Sequence, residues 1–204
     1  SMPEAKNNRR VRFTRSALRE ALIDLLLEKP ILSITVKDIC ARADINRSTF
    51  YLHYKDVTDL LRTTEDDIIE HMRSQTPASD RKFRSPEEIQ AFFTQFLEAI
   101  KSMPRMMKVI QVLCSDQGDP RFVRKLQTLT YEAFLIGWDM HMMPEMDENR
   151  KLLVFSYIIS GMVSMLSTWA TKAGDVPTEQ VVELLMGLMW HGMESIAPFE
   201  FTQP

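Results

Sequence analysis

The most constraining feature of this chain is a pair of helix-start signals close together, at Thr35 and Asn46. Thr35 is followed three residues later by Asp38, which resembles a capping box with Asp in place of the usual Glu. Asp44 takes the turn that follows, and Asp tolerates the left-handed backbone of a tight turn better than most residues do. Asn46 is a good N-cap for a further helix at about residues 47–53. This segment therefore predicts two short helices joined by a tight turn.

Two short helices with a basic second helix match the plan of a helix-turn-helix DNA-binding unit. The apolar residues that would pack the two helices together are Ile39, Ala43, Ile45 and Phe50. Arg47 can reach O6 and N7 of a guanine, a contact worth about 1–3 kcal/mol of discrimination. Ser48 and Thr49 suit either bases or phosphates. The N-cap Thr35 offers a hydroxyl and free backbone N–H groups to a phosphate.

The charge of the chain is unevenly distributed. Residues 1–62 contain 12 Lys and Arg against 8 Asp and Glu, whereas residues 63–204 contain 13 against 20. A basic head on an acidic body suggests that only the head meets a polyanion. Four arginines before and at the start of a helix predicted at 14–28 form a basic arm for phosphates or the minor groove, with a solvated tail as the alternative: Arg9, Arg10, Arg12 and Arg15.

Residues 34–61 strongly resemble the head of the TetR family of transcriptional regulators, and Thr-Phe-Tyr-x-His-Tyr-Lys-Asp at 49–56 is the most specific part. The form at 46–51 resembles the branch common in Gram-positive (Firmicutes-type) bacteria. By this resemblance, four residues clamp backbone phosphates: Tyr51, His53, Tyr54 and Lys55. The full predicted DNA-binding set is Thr35, Asn46, Arg47, Ser48, Thr49, Tyr51, His53, Tyr54 and Lys55. The alternatives are a core position for Tyr54 and an exposed position without DNA contact for His53.

The whole chain reads as an all-α protein of about nine helices. The signals Asp56 with Asp59, Ser85-Pro86 and Asp119-Pro120 begin helices after the head, and residues 149–173 and 177–196 form the last two. Residues 74–84 read as a loop. We therefore predict a helix-turn-helix DNA-binding domain at 9–56 and a helical effector-binding and dimerisation domain at 57–204.

The middle helices are rich in Met and Phe, which suits a pocket for apolar ligands, although plain core packing explains the same residues. That such a pocket exists follows mainly from the family resemblance. The predicted lining is Phe92, Phe96, Met103, Met107, Ile110, Phe134 and Trp138. No ring of charged residues names a ligand, so the effector is an unknown small molecule or, alternatively, a protein co-regulator.

Residues 152–171 contain no charged side chain, which is long enough to span a bilayer. The Ser and Thr residues within this segment favour a soluble helix buried on two faces, so we expect no membrane partner. In the family, the last two helices pair with their copies in a four-helix bundle. The predicted dimer interface contains Ser160, Gly161, Ser164, Leu185 and Met189.

Together these patterns predict a ligand-responsive repressor that binds a palindromic operator as a homodimer, with double-stranded DNA and a second copy as partners. Its half-sites would lie about 34–36 Å apart or a multiple of that. We find no HExxH, no Walker loop and no Cys/His cluster, so we expect neither an enzyme nor a cofactor or metal. Residues 2–15 are basic and polar and do not resemble a secretory signal, and we expect a cytoplasmic protein.

Overall fold

The computed structural model of this chain describes residues 2–75, 85–137 and 146–196. Within these ranges the chain forms nine α-helices and one 3-10 turn, and no strand, in agreement with the predicted all-α class. The chain divides into two compact units. The first contains the described residues up to Glu70 together with Asp116–Gly118, and the second contains those from His71 to Ser115 and from Asp119 onward.

The first unit is built from short helices packed on one long one. Its elements are α1 (Met2–Leu26), a 3-10 turn (Ile31–Ser33), α2 (Val36–Ala43), α3 (Arg47–His53) and most of α4 (Val57–Ser74). Helix α2 packs against α1 and α3. The core of the first unit is formed by the apolar faces of its four α-helices. It includes the fully buried residues Leu18, Leu22, Ile39, Phe50 and Leu60. The helix-turn-helix arrangement follows directly from this packing.

Local sequence signals set the bounds of the short helices, as predicted. The hydroxyl of Thr35 accepts a hydrogen bond from the backbone N–H of Asp38 (3.1 Å), and the carboxylate of Asp38 accepts one from the backbone N–H of Thr35 (2.9 Å). Asp44 ends α2 with φ 53°, the left-handed conformation expected of this turn. Helix α4 begins similarly, because Asp56 accepts a hydrogen bond from the backbone N–H of Asp59.

The start predicted for the first helix, at residue 14, is wrong. Helix α1 already begins at Met2, so Thr14 lies inside it. The four arginines predicted to form an arm are therefore exposed residues within this helix. The residues before Thr14 lack apolar periodicity, yet Ala, Glu, Lys and Arg have high intrinsic helix propensity and continue a helix without a core contact.

The second unit consists of α5 (Pro86–Lys101), α6 (Pro104–Cys114), α7 (Pro120–Gly137), α8 (Glu148–Lys172) and α9 (Thr178–Glu194), with the last turn of α4. Ser85 caps α5 ahead of Pro86 by accepting a hydrogen bond from the backbone N–H of Glu88, as the sequence predicts. Helix α8 packs against α6, α7 and α9, while α5 packs against α6 and α9. Its core joins residues of α5, α8 and α9, among them Leu97, Phe155, Met162, Val182 and Leu185.

Helix α8 is also the one described helix that is long and apolar enough to cross a membrane by length and composition. Its apolar character has another use in this structure. Phe155, Ile158, Ile159, Met162 and Val163 are buried against the other helices of the second unit. A core helix passes the same composition test as a membrane span.

Candidate DNA-binding surface and ligand cavity

The exposed face of α3 carries the residues predicted to read DNA. Arg47, Ser48 and Tyr51 are exposed, and each lies one turn or less from the next. Phe50 anchors the opposite face, since its side chain is fully buried and its ring packs edge-on against Tyr51 at 5.4 Å. A short helix held by a buried aromatic residue presents its polar side chains in a fixed orientation, which is what direct readout of base edges requires.

The basic side chains of the first unit fall into two groups. Arg19, Lys29 and Arg42 each form an ion pair, with Asp67, Asp38 and Glu28 respectively. The exposed Arg47 and Lys55 form no ion pair within the described residues, and the same holds for the exposed arginines at the start of α1, so their charge remains available to an external anion. Positive charge that is available in the first unit therefore lies on α1, on α3 and on the turn that follows α3.

Two predicted contact residues lie at helix N-termini. Thr35 is exposed before α2, and its hydroxyl oxygen accepts the capping hydrogen bond from the backbone N–H of Asp38. Asn46 is the N-cap residue of α3, but its side chain makes no capping hydrogen bond. An exposed Asn amide without a capping role can instead donate to a phosphate or a base.

The remaining predicted contact residues differ in how exposed they are to solvent. Lys55 is exposed, while Thr49 and His53 are half-buried. Tyr54 is only 7% exposed, and its ring packs 5.9 Å from that of Phe50. Burial also raises the pKa of the Tyr54 phenol. The Tyr54 ring therefore packs in the core of the first unit, as the alternative interpretation of the sequence has it, and a phosphate contact by its hydroxyl stays a prediction.

Leu52 is a surface residue of α3 that the sequence interpretation missed. Leu52 is 82% exposed. It follows Ser48 by one helical turn and lies on the same face as the predicted contacts. So exposed a Leu buries little apolar area within its own chain. The signal was present in the sequence as the i, i+4 spacing of Ser48 and Leu52, which places them together on any helix.

The second unit encloses a cavity of about 110 Å³. Four of the predicted lining residues do line it: Phe92, Phe96, Met107 and Ile110. Met103 does not, because it is the N-cap residue of α6 and precedes the helical face that reaches the cavity. The side chain of Phe134 and the whole of Trp138 lie outside the described residues. Residues that the sequence did not single out complete the wall, among them Met72, Cys114, Met162, Ser167 and Trp169.

The last turn of α4 meets this cavity through Met72. The next residue, Arg73, donates hydrogen bonds from Nε and Nη2 to the same carboxylate oxygen of Glu132 on α7, at 3.2 and 2.9 Å. Leu60 and Leu61, near the start of α4, are buried among residues of the first unit. One continuous helix therefore supplies side chains both to the core of the first unit and to the cavity wall of the second.

Helices α8 and α9 also present an exposed apolar surface. Tyr157 is 83% exposed, and Leu184 and Leu188 are 57% and 69% exposed. Ser160, Gly161 and Ser164, which were predicted to meet a second subunit, continue the exposed stripe of α8. Leu185 and Met189 do not belong to it, since they are 2% and 4% exposed in the core of their own chain. The stripe that α9 leaves exposed is therefore displaced by one residue from the predicted one.

A metal site is not among the features of the described residues. No group of three or more His, Cys, Asp or Glu side chains within residues 2–75, 85–137 and 146–196 is arranged to hold a metal ion.

Comparisons with known proteins agree with this architecture. Residues 87–190 match the TetR_C_8 family model, described as the transcriptional regulator C-terminal region. The chain is 28% identical over 184 residues to an uncharacterized HTH-type transcriptional regulator, YxbF, of Bacillus subtilis; the match covers 88% of this chain and 45% of that protein. The chain thus spans less than half the length of this relative.

Two solved structures share the fold. A TetR transcriptional regulator from Streptococcus agalactiae superposes with a TM-score of 0.68 at 19% identity, covering 91% of this chain and 98% of the other. SmeT, the repressor of the Stenotrophomonas maltophilia multidrug efflux pump SmeDEF, gives a TM-score of 0.65 at 13% identity, covering 93% and 96%. The Bacillus and Streptococcus proteins agree with the predicted Gram-positive branch. The match to the C-terminal region, together with the helix-turn-helix of the first unit, establishes that this chain belongs to the TetR family of transcriptional regulators.

Proposed function

We propose that this chain is a cytoplasmic, ligand-responsive repressor that binds a palindromic operator as a homodimer. The observation that carries the DNA-binding part is the exposed face of α3 with the turn that follows it, where Arg47 and Lys55 are exposed and form no ion pair in the part of the chain that the structure describes. Arg47 would contact a base edge and Lys55 a phosphate. We assign this task to the predicted domain at 9–56, with sensing and pairing in residues 57–204.

DNA selection with purified protein tests this assignment. Wild type should enrich a palindrome, and Arg47→Ala should weaken binding to it by about 5–150-fold, which corresponds to about 1–3 kcal/mol for one bidentate base contact. Lys55→Ala should weaken operator and unrelated DNA alike and reduce the salt slope by about one. Arg121→Ala is the matched control, because it removes an equally exposed arginine from the start of α7.

Two results would contradict the assignment of DNA binding to α3. Binding that enriches no sequence and vanishes at moderate salt would leave only nonspecific charge attraction and overturn the operator assignment. Equal losses for Arg47→Ala and Arg121→Ala would mean that net charge, rather than α3, determines affinity.

We infer that two copies pair through the apolar stripes of α8 and α9. Exposed large apolar side chains in a contiguous patch mark interaction surfaces. Tyr157, Leu184 and Leu188 supply apolar area, while a Cβ added at Gly161 would meet no atom within 4 Å in the isolated chain. Small residues between large ones let helices of a second copy approach closely. The two-fold symmetry of such a pair presents two copies of α3, which is why we propose a palindromic operator.

We infer further that an effector in the cavity acts on DNA binding through α4. Met72 brings the end of this helix to the cavity wall, and the Arg73–Glu132 pair fastens that end to α7. A coupling of about 1–3 kcal/mol would change operator affinity about 5–150-fold. SmeT, which has the same fold, is a repressor and has been solved in a complex with triclosan. A reporter that is silenced by this protein and released by an added effector would support the repressor role; activation by the protein alone would contradict it.

A further inference from the structure

The wall of the cavity in the second unit has an unusually uniform chemistry. Of the 19 described residues that line it, 16 have apolar or aromatic side chains, and none of the 19 carries a formal charge. A carboxylate or ammonium group placed there would lose its hydration without gaining a counter-charge, which is strongly disfavoured. The described wall therefore selects against ions.

One side of the cavity is formed by three phenylalanines of α5. The ring of Phe92 stands 5.4 Å from that of Phe93 and 6.0 Å from that of Phe96, and the latter pair is stacked with an interplanar angle of 23°. Methionines such as Met107 and Met162 lie on other sides and adapt their flexible side chains to irregular shapes. A flat, hydrophobic wall with adaptable neighbours suits an aromatic ring or a short aliphatic chain.

The polar groups of the wall can be counted individually. The hydroxyl of Thr130 donates to the backbone carbonyl of Leu126 at 2.8 Å, and Nε1 of Trp169 donates to the carbonyl of Val176 at 2.8 Å. Both donors are therefore occupied. Ser167 on α8 and Cys114 on α6 both line the cavity. The Thr130 oxygen can still accept a hydrogen bond, but Ser167 and Cys114 offer two polar side chains with no hydrogen bond to a backbone carbonyl among the described residues, so this pair is the spot best able both to donate to and to accept from a ligand group.

The size of the cavity limits the ligand further. Its volume of about 110 Å³ is somewhat smaller than the ~150 Å³ apolar cavity that is known to hold benzene. We expect one six-membered ring to fit when the flexible methionine side chains move, whereas several fused rings would require the helices to separate.

We propose that the cavity binds a small, uncharged, mainly apolar molecule of about one ring, with a single hydroxyl or carbonyl group directed at Ser167 and Cys114. This inference rests on the proposed function only in taking the second unit as the sensing part. It names the chemical class of the effector, and it concerns a binding event that occurs without DNA.

Calorimetric titration of the full chain with toluene, p-cresol and benzoate at pH 7 tests the proposal. These probes share one ring and differ in having no polar group, one hydroxyl or a negative charge. We expect p-cresol to bind about 5-fold more tightly than toluene, the factor for one neutral hydrogen bond. Benzoate should bind at least about 10-fold more weakly than either.

Two variants locate the binding. Ser167→Ala should bring p-cresol to the affinity of toluene and leave toluene unchanged. Thr128→Ala is the matched control, because Thr128 is an exposed hydroxyl residue of α7 that lies outside the cavity wall and outside the proposed pairing surface, and its loss should change neither affinity. Ala170→Leu fills the cavity and should abolish binding of both neutral probes, with an unchanged helical circular dichroism spectrum.

Three results would overturn the proposal: benzoate binding as tightly as p-cresol, no neutral probe binding below millimolar concentration, or unchanged binding in folded Ala170→Leu. Such failures leave the DNA selection with Arg47→Ala unaffected, because that experiment contains no probe. Conversely, probe binding by a protein that selects no operator would uphold the ligand class and contradict the regulatory function.

Discussion

Replacing Leu188 by Ala tests the proposed pairing surface and the one-residue displacement of the stripe on α9. Burying one methylene contributes about 0.8 kcal/mol, and Leu→Ala removes three carbons. Because Leu188 is 69% exposed, roughly that share of the side chain remains to be buried by a partner. The loss is then about 1.6 kcal/mol per chain and, since two-fold symmetry counts it twice, about 3 kcal/mol per dimer, or roughly 150-fold in Kd.

Sedimentation equilibrium over a range of protein concentrations measures this Kd. Leu32→Ala is the matched control, because Leu32 in the 3-10 turn of the first unit is almost fully exposed and lies outside the proposed interface. In contrast to Leu188→Ala, Leu185→Ala should lower the folding stability of the chain, with no direct effect on the Kd of the dimer. Leu185 is buried in its own chain, so truncating it creates a cavity that costs about 2–5 kcal/mol of folding stability.

The reasoning is refuted if Leu188→Ala dimerises as tightly as wild type, or if Leu32→Ala weakens dimerisation equally. A folded monomer produced by Leu185→Ala, with Leu188→Ala still dimeric, would restore the interface originally predicted from the sequence. Wild type that remains monomeric at every concentration would remove the interface altogether.

Three further predictions concern single groups. Hydrogen bonds with Lys29 and Thr35 lower the pKa of Asp38 from 3.8 to about 2. The resulting stabilisation is fully present above pH 4 and is lost as pH falls toward 2, so the Tm difference between wild type and Asp38→Asn should shrink in that window; a constant difference would contradict this. Leu52 should contact a thymine methyl group, so replacing thymine by uracil in the operator should weaken wild type but not Leu52→Ala; equal weakening of both would exclude the contact. Burial raises the pKa of Cys114 to about 11, so at pH 8 it should react with iodoacetamide roughly 200-fold more slowly than a free thiol, as measured in Cys40→Ala; rapid labelling would show that the thiol is accessible and ionised.

The parts of the fold that could be predicted depend on contacts within a few residues. The capping pair of Thr35 and Asp38, the left-handed Asp44 and the Ser85 cap with its following Pro are all confirmed, as is α3 at Arg47–His53. Each signal satisfies or removes a backbone hydrogen-bonding group at a helix end, and that requirement is the same in every fold. Tertiary packing did not need to be known.

Which side of an apolar helix packs on its own chain could not be predicted in the same way. Helix α9 has apolar residues at 181, 182, 184, 185, 186, 188 and 189, which extend around more than one face. Nothing in such a segment distinguishes the stripe that packs on its own chain from the stripe left for a partner, so Leu185 and Met189 were assigned to the wrong side. The predicted cavity wall was incomplete for a related reason, since Met72 and Ser167 come from helices far apart in the sequence and only packing brings them together.

Helix α8 connects these observations within the second unit. Val163 and Ser167 line the cavity, while Tyr157 and Ser164 belong to the exposed stripe on the same helix. A helix of this length moves as a nearly rigid body, because a continuous ladder of hydrogen bonds holds its backbone. A ligand that displaces Val163 must therefore also turn Ser164, the next residue, with respect to a second copy. Since linkage is reciprocal, whatever free energy the ligand contributes to pairing, pairing contributes to ligand affinity. In the function proposed above, sensing and dimerisation would thus both act through α8, which carries cavity residues on one face and the exposed stripe on another.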